Sequence, residues 1–200
     1  MSYALLFGVL SAASTVPVVM GPSAALSPFV LEAARKEISV IYGQSSVALV
    51  WNVEVEAGVA PRLVVLFRDA ESFPVKTDRQ ALGLALLSHE DEVPDTRVLV
   101  VFLDRLESLL GCACPLARGR ALGRVIAHEM GHSLQYAKLH SSEGLMRAHI
   151  PRVRWSAPNR RDFFFAPEDE EQIHKGLRRT GRVPAPPETN GGREGVVGTP

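Results

Sequence analysis

The chain has 200 residues, of which 22 are basic and 22 acidic, so its formal net charge at neutral pH is zero. A chain of this length is expected to form one domain with a sizeable core. Without an excess of basic residues it lacks the electrostatic signature of a protein that binds nucleic acid or an anionic membrane surface. Its function is therefore expected to depend on a local site, with no nucleic-acid partner.

The N-terminal segment is apolar, and none of the first 31 residues carries a charge. Residues 3–20 have the composition of the hydrophobic region of a signal peptide, and small residues follow. No Lys or Arg precedes this run, and Pro17 with several Ser and Thr disfavours a stable membrane span. We predict that residues 1–25 form a signal peptide or an N-terminal anchor. The protein is then exported or membrane-anchored, with membrane contact only if the segment is retained, and a cytoplasmic location stays open.

The next part of the chain contains one helix and several strands. Apolar residues at helical spacing in residues 29–42 predict an amphipathic helix with Glu37 on its polar side. Three β-rich runs predict strands of one sheet, at residues 47–55, 62–69 and 97–104. The segment 81–96 is apolar and then acidic, and its pattern fits a loop, a short hairpin or an irregular segment at the sheet edge.

Helices dominate the C-terminal half. Residues 103–111 predict a short helix that is ended by Gly111. A longer helix is predicted from about residue 117 to residue 137. Pro167 and the acidic residues after it suit the start of a last helix. The tail, residues 180–200, has four Pro, five Gly and no aromatic residue, so it is predicted to be disordered. The order of elements predicts the α+β class, with one domain over residues 26–179.

The longer helix carries the sequence HEMGH at residues 128–132, which matches the pattern HExxH. With 6 His and 15 Glu in 200 residues, chance would produce this pattern roughly once in a hundred such chains. On a helical projection, His128 and His132 lie together on the boundary between an apolar and a polar face. Two imidazoles four residues apart can reach one zinc ion, and Glu129, rotated by about 100° from His128, is placed to act as a general base.

The same projection predicts which side of this helix faces solvent. The polar arc contains Arg120, Arg124, Gly131, Gln135 and Lys138. A catalytic metal site belongs at the boundary of two such faces, because the core must hold the metal while a substrate reaches it. The alternative interpretation is a helix with two partly exposed histidines and a solvated Glu.

A third histidine, His140, follows twelve residues after His128, and the stretch HSSEGLM at residues 140–146 ends at a methionine. This arrangement resembles the metzincin metallopeptidases, whose pattern is HExxHxxGxxH followed by a turn with a methionine beneath the zinc. It is also similar to a group of small bacterial metzincin-like proteins. The resemblance covers residues 97–150 and implies a zincin-like fold, with a twisted mixed sheet, packed helices and a central HExxH helix.

The resemblance also implies the function and the role of each site residue. His128, His132 and His140 would be the ligands of Zn²⁺, and Met146 would support the metal site without binding the metal. Glu129 would act as general base toward a metal-activated water, so that the protein hydrolyses a peptide bond of a peptide or protein substrate. The sequence therefore predicts a zinc-dependent endopeptidase.

This chain departs from the metzincin pattern at two positions. Gln135 stands where the family has a glycine, and Lys138, which is not a plausible zinc ligand, stands where it has the third histidine. We therefore expect the helix to continue past Tyr136 before it breaks, so that His140 can return to the metal. The competing candidates for the third ligand are Glu143 and His149.

Two other hypotheses remain for the protein as a whole. A zinc-binding protein without hydrolytic activity would serve as a regulatory or interaction module, and a coincidental motif would leave a domain without a metal. Arg120 and Arg147 are candidates for binding a substrate carboxylate, although both also suit solvated surface positions. Cys112 and Cys114 are expected to be small, partly buried residues and not to form a disulfide with each other.

Overall fold

The computed structural model describes the chain in six segments, residues 14–52, 62–75, 77–87, 96–111, 113–137 and 139–179. The first 13 residues, Cys112, Lys138 and the tail from residue 180 onward lie outside these segments. The disorder predicted for the tail therefore stays a prediction, as does strand structure at residues 53–55.

A five-stranded sheet forms one layer of the described fold. Its strands are β1 (Ser14–Met20), β2 (Val47–Trp51), β3 (Arg62–Arg68), β4 (Gly83–Leu86) and β5 (Thr96–Phe102). They lie in the order β2-β1-β3-β5-β4, and all neighbours are parallel except β4 and β5, which are antiparallel. The three predicted strands are confirmed, and the undecided segment 81–96 contributes β4 at the sheet edge.

The described residues form five α-helices, α1 (Pro28–Gln44), α2 (Leu103–Leu110), α3 (Pro115–Gln135), α4 (Arg152–Trp155) and α5 (Pro167–Arg179). Helix α3, which carries HEMGH, packs against α1, α5, β4 and β5, so it lies at the centre of the molecule. The fold is a mixed α+β arrangement with a mostly parallel sheet, and the α+β class is confirmed.

Local sequence signals account for the ends of these helices. Ser27 caps α1 by accepting a hydrogen bond from the backbone N–H of Val30 at 3.3 Å, and Pro28 begins the helix. Helix α2 ends at Gly111, whose φ of 61° is a conformation that glycine adopts without steric cost. Pro167 starts α5, and the three acidic residues of its first turn complement the helix dipole.

Strand β1 belongs to the N-terminal segment that we interpret as a signal peptide or anchor. It pairs with β2 on one side and β3 on the other, and the side chains of Val16 and Val18 are fully buried. The folded domain therefore includes Ser14, earlier than the predicted boundary at residue 26, and a cleavage near Ala25 would remove an internal strand. Among the described helices, none is long and apolar enough to cross a membrane. Export stays a prediction.

Substitution of Val16 by aspartate is expected to destabilise the protein by more than about 3 kcal/mol, because an unpaired carboxylate would replace a fully buried side chain. Thr15→Asp is the matched control, since Thr15 is exposed on the same strand. Chemical denaturation of both variants and the wild type measures the free energy of unfolding. Equal stability of the two variants would show that β1 is not part of the folded core.

Two residues that the helical periodicity assigns to polar faces are buried. Arg124 on α3 has no exposed surface, and its Nε donates to Glu37 Oε1 on α1 at 2.9 Å. Arg124 Nη1 also donates to the carbonyl oxygens of Arg154 and Trp155. The predicted solvent exposure of this arc of α3 is wrong at Arg124, because a helical projection omits the C-terminal segment that covers it. The Arg124–Glu37 ion pair joins α1, α3 and that segment.

Candidate metal centre

Three histidine side chains converge near the C-terminal end of α3. The ring centre of His132 lies 4.7 Å from that of His128 and 4.8 Å from that of His140. One nitrogen of each ring lies within 4.8 Å of the others. His132 is buried, and His140 is exposed. The three predicted ligands are therefore brought together, while Glu143 and His149 are not members of the cluster.

Backbone carbonyl groups decide which nitrogen of each imidazole is free. Nδ1 of His128 lies 2.8 Å from the carbonyl oxygen of Leu145. Nδ1 of His132 lies 2.9 Å from the carbonyl oxygen of Ala137. Because a carbonyl oxygen only accepts, each Nδ1 carries the proton, and the two Nε2 lone pairs face one another at 3.1 Å. Two lone pairs in this position repel each other unless a cation lies between them.

The donor set fits a metal ion such as zinc. Tetrahedral zinc, with Zn–N distances of about 2.0–2.1 Å, places two ligand nitrogens roughly 3.3 Å apart. The 3.1 Å between Nε2 of His128 and Nε2 of His132 is close to this spacing. The hydrogen bonds to Leu145 and Ala137 fix the tautomer and the orientation of each ring, as the outer-shell partners of metal ligands do. Together with His140, the two residues form a cluster that could hold a metal ion.

Burial keeps the two imidazoles of α3 in the neutral form that binds a metal. Burial, with the nearby His132 as a second cause, lowers the pKa of His128 to about 3. Burial also lowers the pKa of His132, while the bond to the Ala137 carbonyl and the charge of Asp169 oppose this change. A nitrogen that carries an acidic imidazolium proton cannot bind a metal. Because the pKa values are lowered, both rings are already neutral at pH 7, and metal binding does not have to displace a proton from them.

Glu129 is buried beside the histidines, and its carboxyl group lies against strand β4. The backbone N–H of Ala85 donates to this carboxyl group. Gly83 leaves the necessary space, because a Cβ at Gly83 would lie 2.7 Å from Cγ of Glu129. Burial raises the pKa of Glu129 to about 8, and the bond from Ala85 opposes the rise. In the metal-free protein this carboxyl group therefore holds its proton at neutral pH.

The raised pKa of Glu129 predicts a pH-dependent stability of the metal-free protein. The unfolded chain loses this proton near pH 4.5 and the folded chain near pH 8, so the stability that this group contributes is present at low pH and is lost as the pH rises. The stability of Glu129→Gln relative to the wild type is expected to rise across this window by about 3–5 kcal/mol in total. Urea denaturation of both proteins in the presence of a chelator measures the difference. A difference that does not change with pH would contradict the prediction.

Helix α3 ends at Gln135, and the next residue, the C-cap Tyr136, has the left-handed backbone conformation with φ 54° and ψ 36°. The prediction that the helix continues past Tyr136 is wrong. A left-handed turn costs a residue with a side chain about 1–2 kcal/mol, and the buried Arg97 of β5 holds the tyrosine in this position. The Arg97 guanidinium lies 4.1 Å from the ring centre of Tyr136, donates to its hydroxyl group and donates to the carbonyl oxygen of Ser133. The chain can therefore turn toward His140 without a glycine.

Asp169 in the first turn of α5 organises the loop that carries His140, and we did not predict this role from the sequence. Its Oδ1 accepts from Ser141 Oγ at 2.6 Å and from Gln135 Nε2 at 3.3 Å. Gln135, in the place of the metzincin glycine, thus connects the end of α3 to α5. The other oxygen, Oδ2, is buried and has no hydrogen-bond partner among the described residues. In the sequence Asp169 is one of several acidic residues at a helix start, which conceals its role.

Replacement of Asp169 by asparagine is expected to weaken zinc binding about 10–100-fold, the usual effect of losing a partner in the outer shell of a metal site. The variant removes the negative charge near His132, and its neutral amide oxygen is a weaker acceptor for Ser141 than the carboxylate. Glu168→Gln is the matched control, because Glu168 is exposed on the same turn of α5. Competition with a chelating zinc indicator measures both affinities. An affinity of Asp169→Asn equal to that of the control would contradict this role.

Met146 is fully buried beneath α3, where it packs against Gly131. A Cβ at Gly131 would collide with the Met146 sulfur, so the glycine lets the methionine approach the helix. Gly131 is therefore buried, and its predicted place on the polar face is wrong. The backbone N–H of Ser141 donates to the Met146 carbonyl at 2.9 Å, which closes the loop that contains His140. The support of a metal by Met146 stays a prediction.

The histidine cluster opens into a cavity of about 880 Å³. Glu129 lines the same cavity, together with residues of β4, of α2 and of the segment after Met146. Arg147 also lines it, whereas Arg120, the other arginine proposed to bind a carboxylate, does not.

Cys114 is exposed at the start of α3, and its predicted partial burial is wrong.

Comparison with known proteins assigns no family, since no family model matches the chain. No curated protein matches the chain either. The structure itself shows a mixed α+β fold with three histidines gathered at one wall of a cavity. The likeness to metzincins therefore depends on the motif residues.

Proposed function

We propose that the protein is a zinc-dependent endopeptidase with a metzincin-like site. The observation that carries the proposal is the pair of Nε2 lone pairs 3.1 Å apart on α3, with His140 beside them and Glu129 in the same cavity. A structural zinc site is closed by four protein ligands, whereas a catalytic site has three and keeps one position open. Three imidazoles at the wall of an open cavity fit the catalytic kind.

In this proposal His128, His132 and His140 would hold a zinc ion, which would supply Lewis acidity toward a carbonyl group and a water molecule. The proton transfers belong to Glu129. Its carboxyl group ionises when a cation is bound nearby, takes a proton from the attacking water and gives it to the leaving amine. The Ala85 N–H keeps this carboxyl group oriented beside the histidines.

The substrate in this proposal is a peptide that binds in extended form along β4. Strand β4 lies at the edge of the described sheet, and its residues 83–85 line the cavity. An edge strand offers backbone N–H and C=O groups that can pair with an added strand. A peptide bound in this way would pass the three histidines, which is where cleavage would occur.

A zinc-binding module without hydrolytic activity is the second candidate. It is favoured by the surroundings of Glu129, which is buried, lies against Gly83 and accepts a hydrogen bond from Ala85. A carboxyl group with so little freedom suits a fixed structural acceptor. The metal would then order the loop from His140 to Met146 for a partner protein.

The test uses the full chain, freed of metal and reloaded with zinc. Elemental analysis measures zinc per chain, and a mixture of unstructured peptides is incubated with the protein and analysed by mass spectrometry. The peptidase proposal expects near-stoichiometric zinc and new peptide termini, which disappear with a chelator and return when zinc is restored. Stoichiometric zinc without cleavage would favour the binding module. A folded protein that binds no zinc would exclude both.

A further inference from the structure

The cavity beside the histidines has an excess of positive charge. Its charged lining consists of Arg79, Arg105, Arg147 and Arg152 against Asp78, Asp104 and Glu129. The four arginines outnumber the acidic residues even when Glu129 is counted as ionised. The whole chain has a formal net charge of zero, so the positive charge is a local property of this cavity.

Three of these arginines are held by backbone carbonyl oxygens and not by carboxylates. Arg105 Nη1 donates to two carbonyls of the turn before β4, at 2.6 and 2.7 Å. Arg147 Nε donates to the carbonyl of Gly144 at 3.1 Å, and Arg152 Nη2 donates to that of Ser108 at 3.1 Å. A carbonyl group orients a guanidinium but leaves its charge uncompensated. Among the described ion pairs none includes these three side chains.

The surroundings of these cations increase their effect on a ligand. The apolar residues that line the cavity include Leu82, Leu84, Leu109, Val125, Ile150 and Trp155. Walls of low polarity strengthen the field of charges that face the enclosed space. Each guanidinium has five N–H donors, and its planar geometry matches a carboxylate, so donors remain for a ligand. The cavity therefore suits an anion more than a cation.

We propose that this cavity binds peptides that present a carboxylate to Arg105, Arg147 and Arg152. The inference names the substrate class of the proposed endopeptidase and rests on that function. The three arginines belong to α2, to the loop after Met146 and to α4, so they surround the cavity from several elements. The carboxylate can come from an acidic side chain or from a free C terminus, and the experiment distinguishes these sources.

Binding is measured separately from cleavage, by fluorescence anisotropy with zinc-loaded Glu129→Gln protein of full length. The probes are labelled short peptides of one alanine-rich sequence with Glu, Gln or Lys at the same positions and an amidated C terminus. The Gln peptide is also made with a free C terminus. We expect the Glu peptide to bind about tenfold or more tightly than the amidated Gln peptide, and salt to reduce this difference. Measurements on chelated protein exclude binding through the metal itself.

Arg152→Glu in the same background is the main variant, because Arg152 is exposed and its replacement leaves the core intact. It is expected to remove most of the preference for the Glu peptide, and Arg147→Gln is expected to reduce it. Arg178→Glu is the matched control, since Arg178 is exposed on α5 and does not line the cavity. Thermal unfolding confirms that each variant is folded.

Tight binding of the Glu peptide, or of the Gln peptide only with its free C terminus, supports the proposal and identifies the source of the carboxylate. Equal binding of all probes, or a preference that Arg152→Glu and Arg178→Glu change equally, would overturn it. Cleavage by the wild type without any preference for a carboxylate would overturn this inference, while the endopeptidase proposal would remain supported. Preference for the Glu peptide without any cleavage would support the binding site for acidic peptides and contradict the endopeptidase proposal.

Discussion

Replacement of His140 by alanine is expected to lower the zinc affinity by about 10²-fold or more. A four-ligand structural zinc site contributes about 10–16 kcal/mol, or roughly 3 kcal/mol for each ligand, which corresponds to this change in affinity. His140 is exposed, so its loss should not unfold the protein. Equilibrium competition with a zinc indicator, at a pH where the imidazoles are neutral, measures the change.

His149→Ala is the matched control for His140→Ala. His149 is also exposed and lines the same cavity, but it is not part of the histidine cluster. Its variant is expected to bind zinc like the wild type. If His149→Ala loses zinc while His140→Ala retains it, the third ligand has been assigned to the wrong histidine. If neither variant changes the affinity, the metal is held without either of these two histidines.

Replacement of Glu129 by glutamine is expected to reduce peptide hydrolysis about 10²–10⁴-fold, the usual contribution of a positioned general base. Zinc content should remain near that of the wild type, because Glu129 is not a member of the histidine cluster. The amide keeps the size of the side chain but cannot take a proton. The rate of cleavage of a peptide found in the digest, measured with saturating zinc, gives the ratio.

Glu143→Gln is the matched control for Glu129→Gln. Glu143 is an exposed acidic residue three positions after His140, and its replacement should leave the rate of hydrolysis unchanged. Equal activity of Glu129→Gln and the wild type would remove the general-base role and favour the binding module. Loss of zinc from Glu129→Gln would instead show that the carboxyl group contributes to metal binding.

The elements that the sequence predicted well are those whose signals are local. Periodic apolar residues and capping residues predicted α1, α3 and α5, because a helix is formed by hydrogen bonds between residues close in sequence. The pairing of His128 with His132 was predicted for the same reason, since residues four apart lie on one side of a helix. The return of His140 was predicted only through the resemblance to metzincins.

Strand β1, which was not predicted, and strand β4, which was left undecided, have weak or ambiguous sequence signals. The residues of β1 read as part of the hydrophobic region of a signal peptide, because a buried parallel strand is also a continuous apolar run. Strand β4 has only four residues, Gly83–Leu86, which is too short for an alternating pattern. Both strands are recognised by their neighbours in the sheet and not by their own composition.

The α+β class, most of the helices and strands, and the placement of His128, Glu129 and His132 on one helix could all be predicted from the amino-acid sequence. The folded structure was needed to show that Arg97 holds Tyr136 in a left-handed turn and that Asp169 binds the loop of His140. It also revealed the burial of Arg124. These contacts could not be predicted because they join residues at least 28 positions apart, and no periodic pattern relates residues at such separations.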